Sequence, residues 1–171
     1  MYNSKKFKKM KKYIALLIFC LSSTFIQAQD IYAEDLIALM DKSLRQATNF
    51  LSPRGLQYQF QTEENGPKRI VWAKNVTVSE DNSMKVNDSP YATVTIEYDP
   101  VQGNQINYMH SNKKAFKQIL KYFKGRGYEP GEEQERAGGI RVEYVNNEGD
   151  FDVTYNEWDE YASLTIAQRK R

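Results

Sequence analysis

The chain has 171 residues, with 24 Lys and Arg against 22 Asp and Glu, a formal charge of +2, 40% hydrophobic residues and 13% aromatics. That composition excludes a disordered chain, a mean hydropathy of −0.71 excludes a polytopic membrane protein, and the length suits one domain. The charge is unevenly placed: residues 1–28 hold six lysines and no acid, and the remainder carries 18 basic against 22 acidic residues, a net of −4.

Residues 1–28 have the three-part pattern of a cleaved export signal. Lysines precede an apolar run, Ile14-Ala15-Leu16-Leu17-Ile18-Phe19-Cys20-Leu21, and Ile26-Gln27-Ala28 supplies a small residue before the expected cut. The stretch from Ile14 to Ile26 is shorter than the roughly 20 residues a spanning helix needs. Cleavage after Ala28 then leaves no membrane span and predicts a periplasmic or secreted protein of residues 29–171. Cys20 is the one cysteine and is not a lipidation site, because bulky Phe19 stands where a small residue is needed. With it gone, the chain has no disulfide, no thiolate and no cysteine-based metal site.

A helical period runs from Tyr32 to Leu51, with Ala33, Leu36, Met40, Ala47 and Leu51 on one face, Asp30 as the expected N-cap and Ser52-Pro53-Arg54-Gly55 as the stop. Leu56 to Gln61 alternates apolar and glutamine, as a strand does. Ile70, Trp72, Val76 and Val78 read as one strand, Ser79 to Pro90 as a loop, and Tyr91 to Tyr98 as a further strand with Ala92, Val94 and Ile96 inward. Ile106 and Tyr108 mark a short fourth. A second helix is predicted from Asn112 to Lys124, its apolar stripe Phe116, Ile119, Leu120 and Phe123, with Ser111 as N-cap and Gly125 as stop. Tyr128 to Arg136 is a weak, acidic strand candidate. Ile140–Tyr144, Phe151–Tyr155 and Ala162–Ile166 alternate clearly.

The expected fold is therefore α+β: a two-layer sandwich with an antiparallel sheet of about seven to eight strands and two helices packed on one face. The halves, about 30–109 and 110–171, share an α-β-β-β(-β) plan, a repeat of pattern and not of residues. That plan resembles the duplicated helix-plus-sheet architecture of secreted β-lactamase inhibitor proteins and some envelope assembly factors. The resemblance is architectural and assigns no site residue.

Catalytic and cofactor chemistry finds little support. His110 is the single histidine, with no Gly-x-Ser-x-Gly elbow beside it. A zinc site needs several His or Cys ligands, so no metal and no cofactor is expected. Asn146, Glu148, Asp150 and Asp152 suggest calcium, but placing Gly149 at the loop's sixth position puts Tyr144 where an Asp is required. Gly125-Arg126-Gly127 lacks the spacing of a phosphate loop, and Asn75-Val76-Thr77 is a bare glycosylation sequon. The second helix carries Lys113, Lys114, Lys117, Lys121, Lys124 and Arg126 without an intervening acid. Export and the net negative charge of residues 29–171 argue against nucleic acid as its partner, and a solvated helix face is the plainer account.

The distinctive cluster is Glu157-Trp158-Asp159-Glu160-Tyr161, a turn between two strands. Trp158, Asp159 and Tyr161 are the candidate binding residues, an aromatic pair in an acidic tip, which is the composition of an interface anchor. The sequence thus predicts an exported, non-catalytic binding or inhibitor-like module whose partner is a protein or an envelope component. The alternative is a small carboxylate-dependent enzyme acting on an envelope or sugar substrate, since a carboxylate pair leaves no sequence signature.

Overall fold

The computed structural model describes residues 31–63, 67–81 and 83–170. The leader and Asp30 lie outside the described residues. Among the described residues three helices, α1 (Ala33–Leu39), α2 (Leu44–Leu51) and α3 (Phe116–Gly125), accompany eleven strands. The strands are β1 (Gln57–Thr62), β2 (Lys68–Lys74), β3 (Val76–Val78), β4 (Met84–Val86), β5 (Ala92–Tyr98) and β6 (Gln105–His110) in the first part of the chain. They are β7 (Glu129–Pro130), β8 (Gln134–Arg136), β9 (Gly139–Val145), β10 (Phe151–Glu157) and β11 (Ala162–Gln168) in the second. Nine form one antiparallel sheet in the order β1-β2-β5-β6-β11-β10-β9-β7, with β8 also on β9, while β3 and β4 form a separate ribbon. The class is α+β, as expected. The sheet has more strands than predicted because the acidic stretch after Tyr128 supplies two short ones and not one.

The first helix is not continuous. It ends at Met40, and Ser43 starts a new one: its Oγ accepts from the Gln46 N–H at 3.4 Å, while the Gln46 side-chain oxygen accepts from the Ser43 N–H at 3.0 Å. This is a capping box, and two short helices can follow a twisted sheet where one straight rod could not. Leu36, Leu39, Met40, Ala47 and Leu51 are nonetheless fully buried. Before α3, the 3-10 turn Lys113–Ala115 takes its cap from Asn112, not Ser111. The Asn112 Oδ1 accepts from the Lys114 N–H, and the Ser111 hydroxyl is taken by the Tyr91 N–H.

All three helices contribute to one core with Ile70, Trp72, Val94, Ile96, Ile106, Tyr108, Val153, Leu164 and Ile166 from a single face of the sheet. Phe116 sits between Tyr108 and Tyr155, at ring separations of 5.4 and 5.6 Å. Trp72 is fully buried, and its indole N–H donates to Thr48 at 3.1 Å.

The opposite face is not simply wet. Asn75 takes φ 55°, a left-handed conformation that asparagine tolerates, and reverses the phase of the strand. Val76 and Val78 consequently leave the Ile70–Trp72 row and pack with Val71, Ala73, Tyr91 and Met109 in a second, smaller core on this face. The polar stretch read as a loop supplies β4, which pairs with β3. A bulge in β1 completes the cover: Tyr58 pairs with Trp72 but Phe60 pairs with Val71, so Gln59 is an extra residue and Phe60 turns to the second core. The unbroken alternation read from Leu56 to Gln61 is thereby corrected. The bulge exists because the second core needs an aromatic lid that regular pairing would have sent to the helix side.

Candidate functional site

Beyond that small core, the face away from the helices is open and polar. The registers give three cross-strand rows. Thr93, Met109, Ser163, Asn156 and Arg141 form the first; Thr95, Asn107, Thr165, Thr154 and Glu143 the second; Arg69, Glu97, Gln105, Ala167 and Asp152 the third. A recess of about 330 Å3 lies within them, lined by Arg69, Thr95, Glu97, Gln105, Asn107 and Thr165. Its charges are matched: the Arg69 Nε stands 3.9 Å from one Glu97 oxygen, and the Gln105 amide donates to the other. The Asn107 amide donates to the Thr165 hydroxyl at 2.9 Å. Such a surface offers amide and hydroxyl groups with almost no net charge.

The predicted tip stands at one end of this face. The Trp158 N–H donates to the Tyr161 carbonyl at 2.9 Å, closing a turn between β10 and β11, and the two rings stack at 4.7 Å with 25° between their planes. Tyr161 leans on the small core with Val71 and Met109. Trp158 is half-buried. Its ring rests over Gly139, where an added Cβ would come within 2.7 Å of the indole and 2.5 Å of the Glu157 carbonyl oxygen. Here glycine is needed for space. The indole N–H has no acceptor among the described residues, and Asp159 and Glu160 are exposed. Burial, and next the Glu160 carboxylate, raises the Tyr91 phenol above its ordinary range. The structure therefore brings Trp158 and Tyr161 together and leaves Asp159 in solvent at the apex.

On the helix side, directly before the turn, Glu157 accepts from the Tyr155 hydroxyl at 2.7 Å and from the Lys113 ammonium at 3.1 Å. The phenol hydrogen bond first, and Lys113 next, hold this carboxylate below its ordinary range. Burial and the same carboxylate push the Tyr155 phenol upward. His110 closes β6 and is not a loop residue; its Nδ1 accepts from the Asn112 N–H at 2.7 Å, and its ring meets Tyr108 edge-on.

The oxygen-rich turn considered for calcium is organised by Arg169. Its guanidinium donates to the Asn146 carbonyl at 2.7 Å and to Asp152 at 2.6 Å, and its N–H to the Asp150 carbonyl at 2.8 Å. A fixed side-chain cation stands where those oxygens converge. Among the described residues no group of three or more His, Cys, Asp and Glu is placed to hold a metal ion. No helix among them is long and apolar enough to cross a membrane.

Sequence reasoning missed the recess. Its signal, a polar residue at every second position of four strands, was present, but which polar positions adjoin depends on the β6–β11 pairing across 58 residues. Comparison with known proteins is silent on this site: no family model, curated protein or solved structure matches the chain, so the architectural resemblance gains no support.

Proposed function

We propose that the protein is an exported, non-catalytic binding or inhibitor-like module, acting in a periplasm or outside the cell, whose partner docks on the open sheet face at the Trp158–Tyr161 stack. The partner is another protein or an envelope component. One observation carries the reading: a stacked aromatic pair with an unused indole N–H stands beside a polar face on a rigid sheet. The leader pattern of residues 1–28 supports the location. The finer architecture belongs to the same proposal, namely two layers built by a repeated helix-plus-strands unit. It is supported by the strand order, in which each half runs from an edge strand to a central one and the halves meet at β6 and β11.

The carboxylate-enzyme reading has less behind it. The recess is lined by one carboxylate, Glu97, already bonded to Gln105, and the smaller pocket beside the Asn146 turn is lined by Glu148 and Asp150, both exposed.

The test is a paired measurement on Trp158→Ala. Stability should fall by no more than about 1 kcal/mol, because the ring is only half-buried. Capture of the partner from the envelope fraction should weaken by about 2 kcal/mol or more. Unchanged capture by a stable mutant, or a loss of several kcal/mol in stability, overturns the assignment of Trp158 as an anchor.

A further inference from the structure

We propose that the helix layer, on the opposite side from the Trp158 face, carries a docking surface for an anionic lipid bilayer, formed by the exposed lysines of α3 and by Tyr32. Lys117, Lys121 and Lys124 are spaced four and three apart and fall on one stripe of the helix, and Lys114 extends it into the preceding 3-10 turn. All four are exposed. The side chains of Lys114, Lys117 and Lys121 make no ion pair or hydrogen bond among the described residues, and Lys124 lies 6.0 Å over the Tyr144 ring. Lys113, by contrast, is spent on Glu157. Between Ser111 and Tyr128 the chain holds no acid at all, while residues 29–171 are net negative. Like charges gathered in this way repel one another and are relieved by an anionic partner.

A shallow groove of about 460 Å3 between α1 and α3 adjoins the stripe, lined by Tyr32, Glu34, Gln118, Lys121, Tyr122 and Arg126 among others. Glu34 is the acid facing these cations from α1. Arg126 sits 4.7 Å over the Tyr122 ring, and Tyr32 is 52% exposed. An exposed phenol beside lysines is the pairing found at the level of lipid headgroups.

A bilayer is favoured over an acidic protein on three counts. The cations are lysines, flexible point charges suited to a fluid surface of charges, not arginines set for bidentate recognition. The groove beside them is shallow and lined by Glu34, Gln118, Lys121 and Arg126 as well as by its tyrosines, a poor seat for an apolar protein anchor. And the apolar run Ile14–Ile26 joins the fold through Tyr32, at the edge of the stripe. While that run is in a membrane, a link of only five residues, 27–31, tethers Tyr32 near it.

The experiment uses residues 29–171, which contain every residue of both cores and exclude the leader's own lysines. Co-sedimentation with phosphatidylcholine vesicles is compared with phosphatidylcholine–phosphatidylglycerol vesicles at about 0.1 M ionic strength. Binding to the anionic vesicles alone is expected, and it should vanish near 1 M salt, where the screening length falls to about 3 Å. Lys117→Ala/Lys121→Ala should weaken it about 25-fold, roughly fivefold per charge. Lys85→Ala/Lys170→Ala, which removes the same charge elsewhere, should leave it unchanged, with both variants melting as the parent does. Equal losses from the two pairs would mean net charge and not a surface, and would overturn the proposal. So would binding that ignores phosphatidylglycerol, or salt-sensitive binding to polyglutamate without binding to anionic vesicles, which would assign the stripe to an acidic protein.

Discussion

The two faces of the sheet solve the same problem with different materials. On the helix side, alternate residues of β2, β5, β6 and β11, among them Ile70, Trp72, Val94, Ile96, Ile106 and Leu164, enter one continuous core with three helices. On the other side a two-stranded ribbon, Phe60 and Tyr161 cover a patch around Val71 and Met109, and the rest is mostly hydroxyl and amide residues with the charged Arg69, Glu97, Arg141, Glu143 and Asp152 among them. The larger core lies on the first face, and the second leaves most of its polar groups in solvent. A surface that is not needed to hold the fold can keep an aromatic pair half in solvent.

That division predicts a steep gradient of mutational effects. Phe116→Ala, which empties the contact between Tyr108 and Tyr155, should cost about 3–5 kcal/mol in denaturant unfolding, whereas Thr154→Val on the open face should stay within about 0.5 kcal/mol. Similar costs at the two positions would break the comparison. Gly139→Ala should fall between, at about 1–3 kcal/mol, because the new methyl meets the Glu157 carbonyl oxygen and the Trp158 ring. Of the two tryptophans, Trp72 is sealed, so a change in indole emission in this variant reports Trp158 alone.

A small, pH-dependent effect is expected at the junction of the faces. Glu157 has a depressed folded-state pKa, so its contribution is present above the ordinary carboxylate range and is lost as pH falls through the lower, folded value. Tyr155 is raised, so its contribution holds below its ordinary range and is lost only in strong alkali. Glu157→Gln should therefore cost below about 1 kcal/mol at neutral pH, since the group is partly exposed and screened. The gap to the parent should close on acidification. A gap that widens in acid would reverse the sign of this linkage.

Much of the helix-side core was legible because it rests on local periodicity. Leu36, Met40, Ala47 and Leu51 are buried as their spacing requires, and so are Ala92, Val94, Ile96, Ile106, Tyr108, Ala162, Leu164 and Ile166 of the alternating strands, though Tyr58 and Ile140 are exposed. The misses have two causes, one local and one distant in the chain. Ser43-Leu44-Arg45-Gln46 spells out a capping box, and the helical period read from Tyr32 to Leu51 runs straight through it. The phase reversal at Asn75, the bulge at Gln59 and the strand at Met84–Val86 are set by a second core whose members lie far apart in the chain. At the site, Trp158 and Tyr161 were readable because a short hairpin turn holds them together. The recess was not, since Arg69, Asn107 and Thr165 become neighbours only through long-range pairing.

The bulge in β1 also bears on how the molecule avoids itself. One side of the sheet ends in β7 and β8, two short strands among glutamates, which repel a newcomer. The other ends in Gln57–Thr62, six residues without a charge, with Tyr58 exposed: left regular, such a strand is a template on which further copies could stack into fibres. Gln59 interrupts it. An incoming strand in register with Gln57 and Tyr58 is out of register by Phe60, so growth from this margin stalls after two residues. The extra glutamine that hands Phe60 to the second core thus also acts as a stop against polymerisation, in a chain with no charge at that edge to do so.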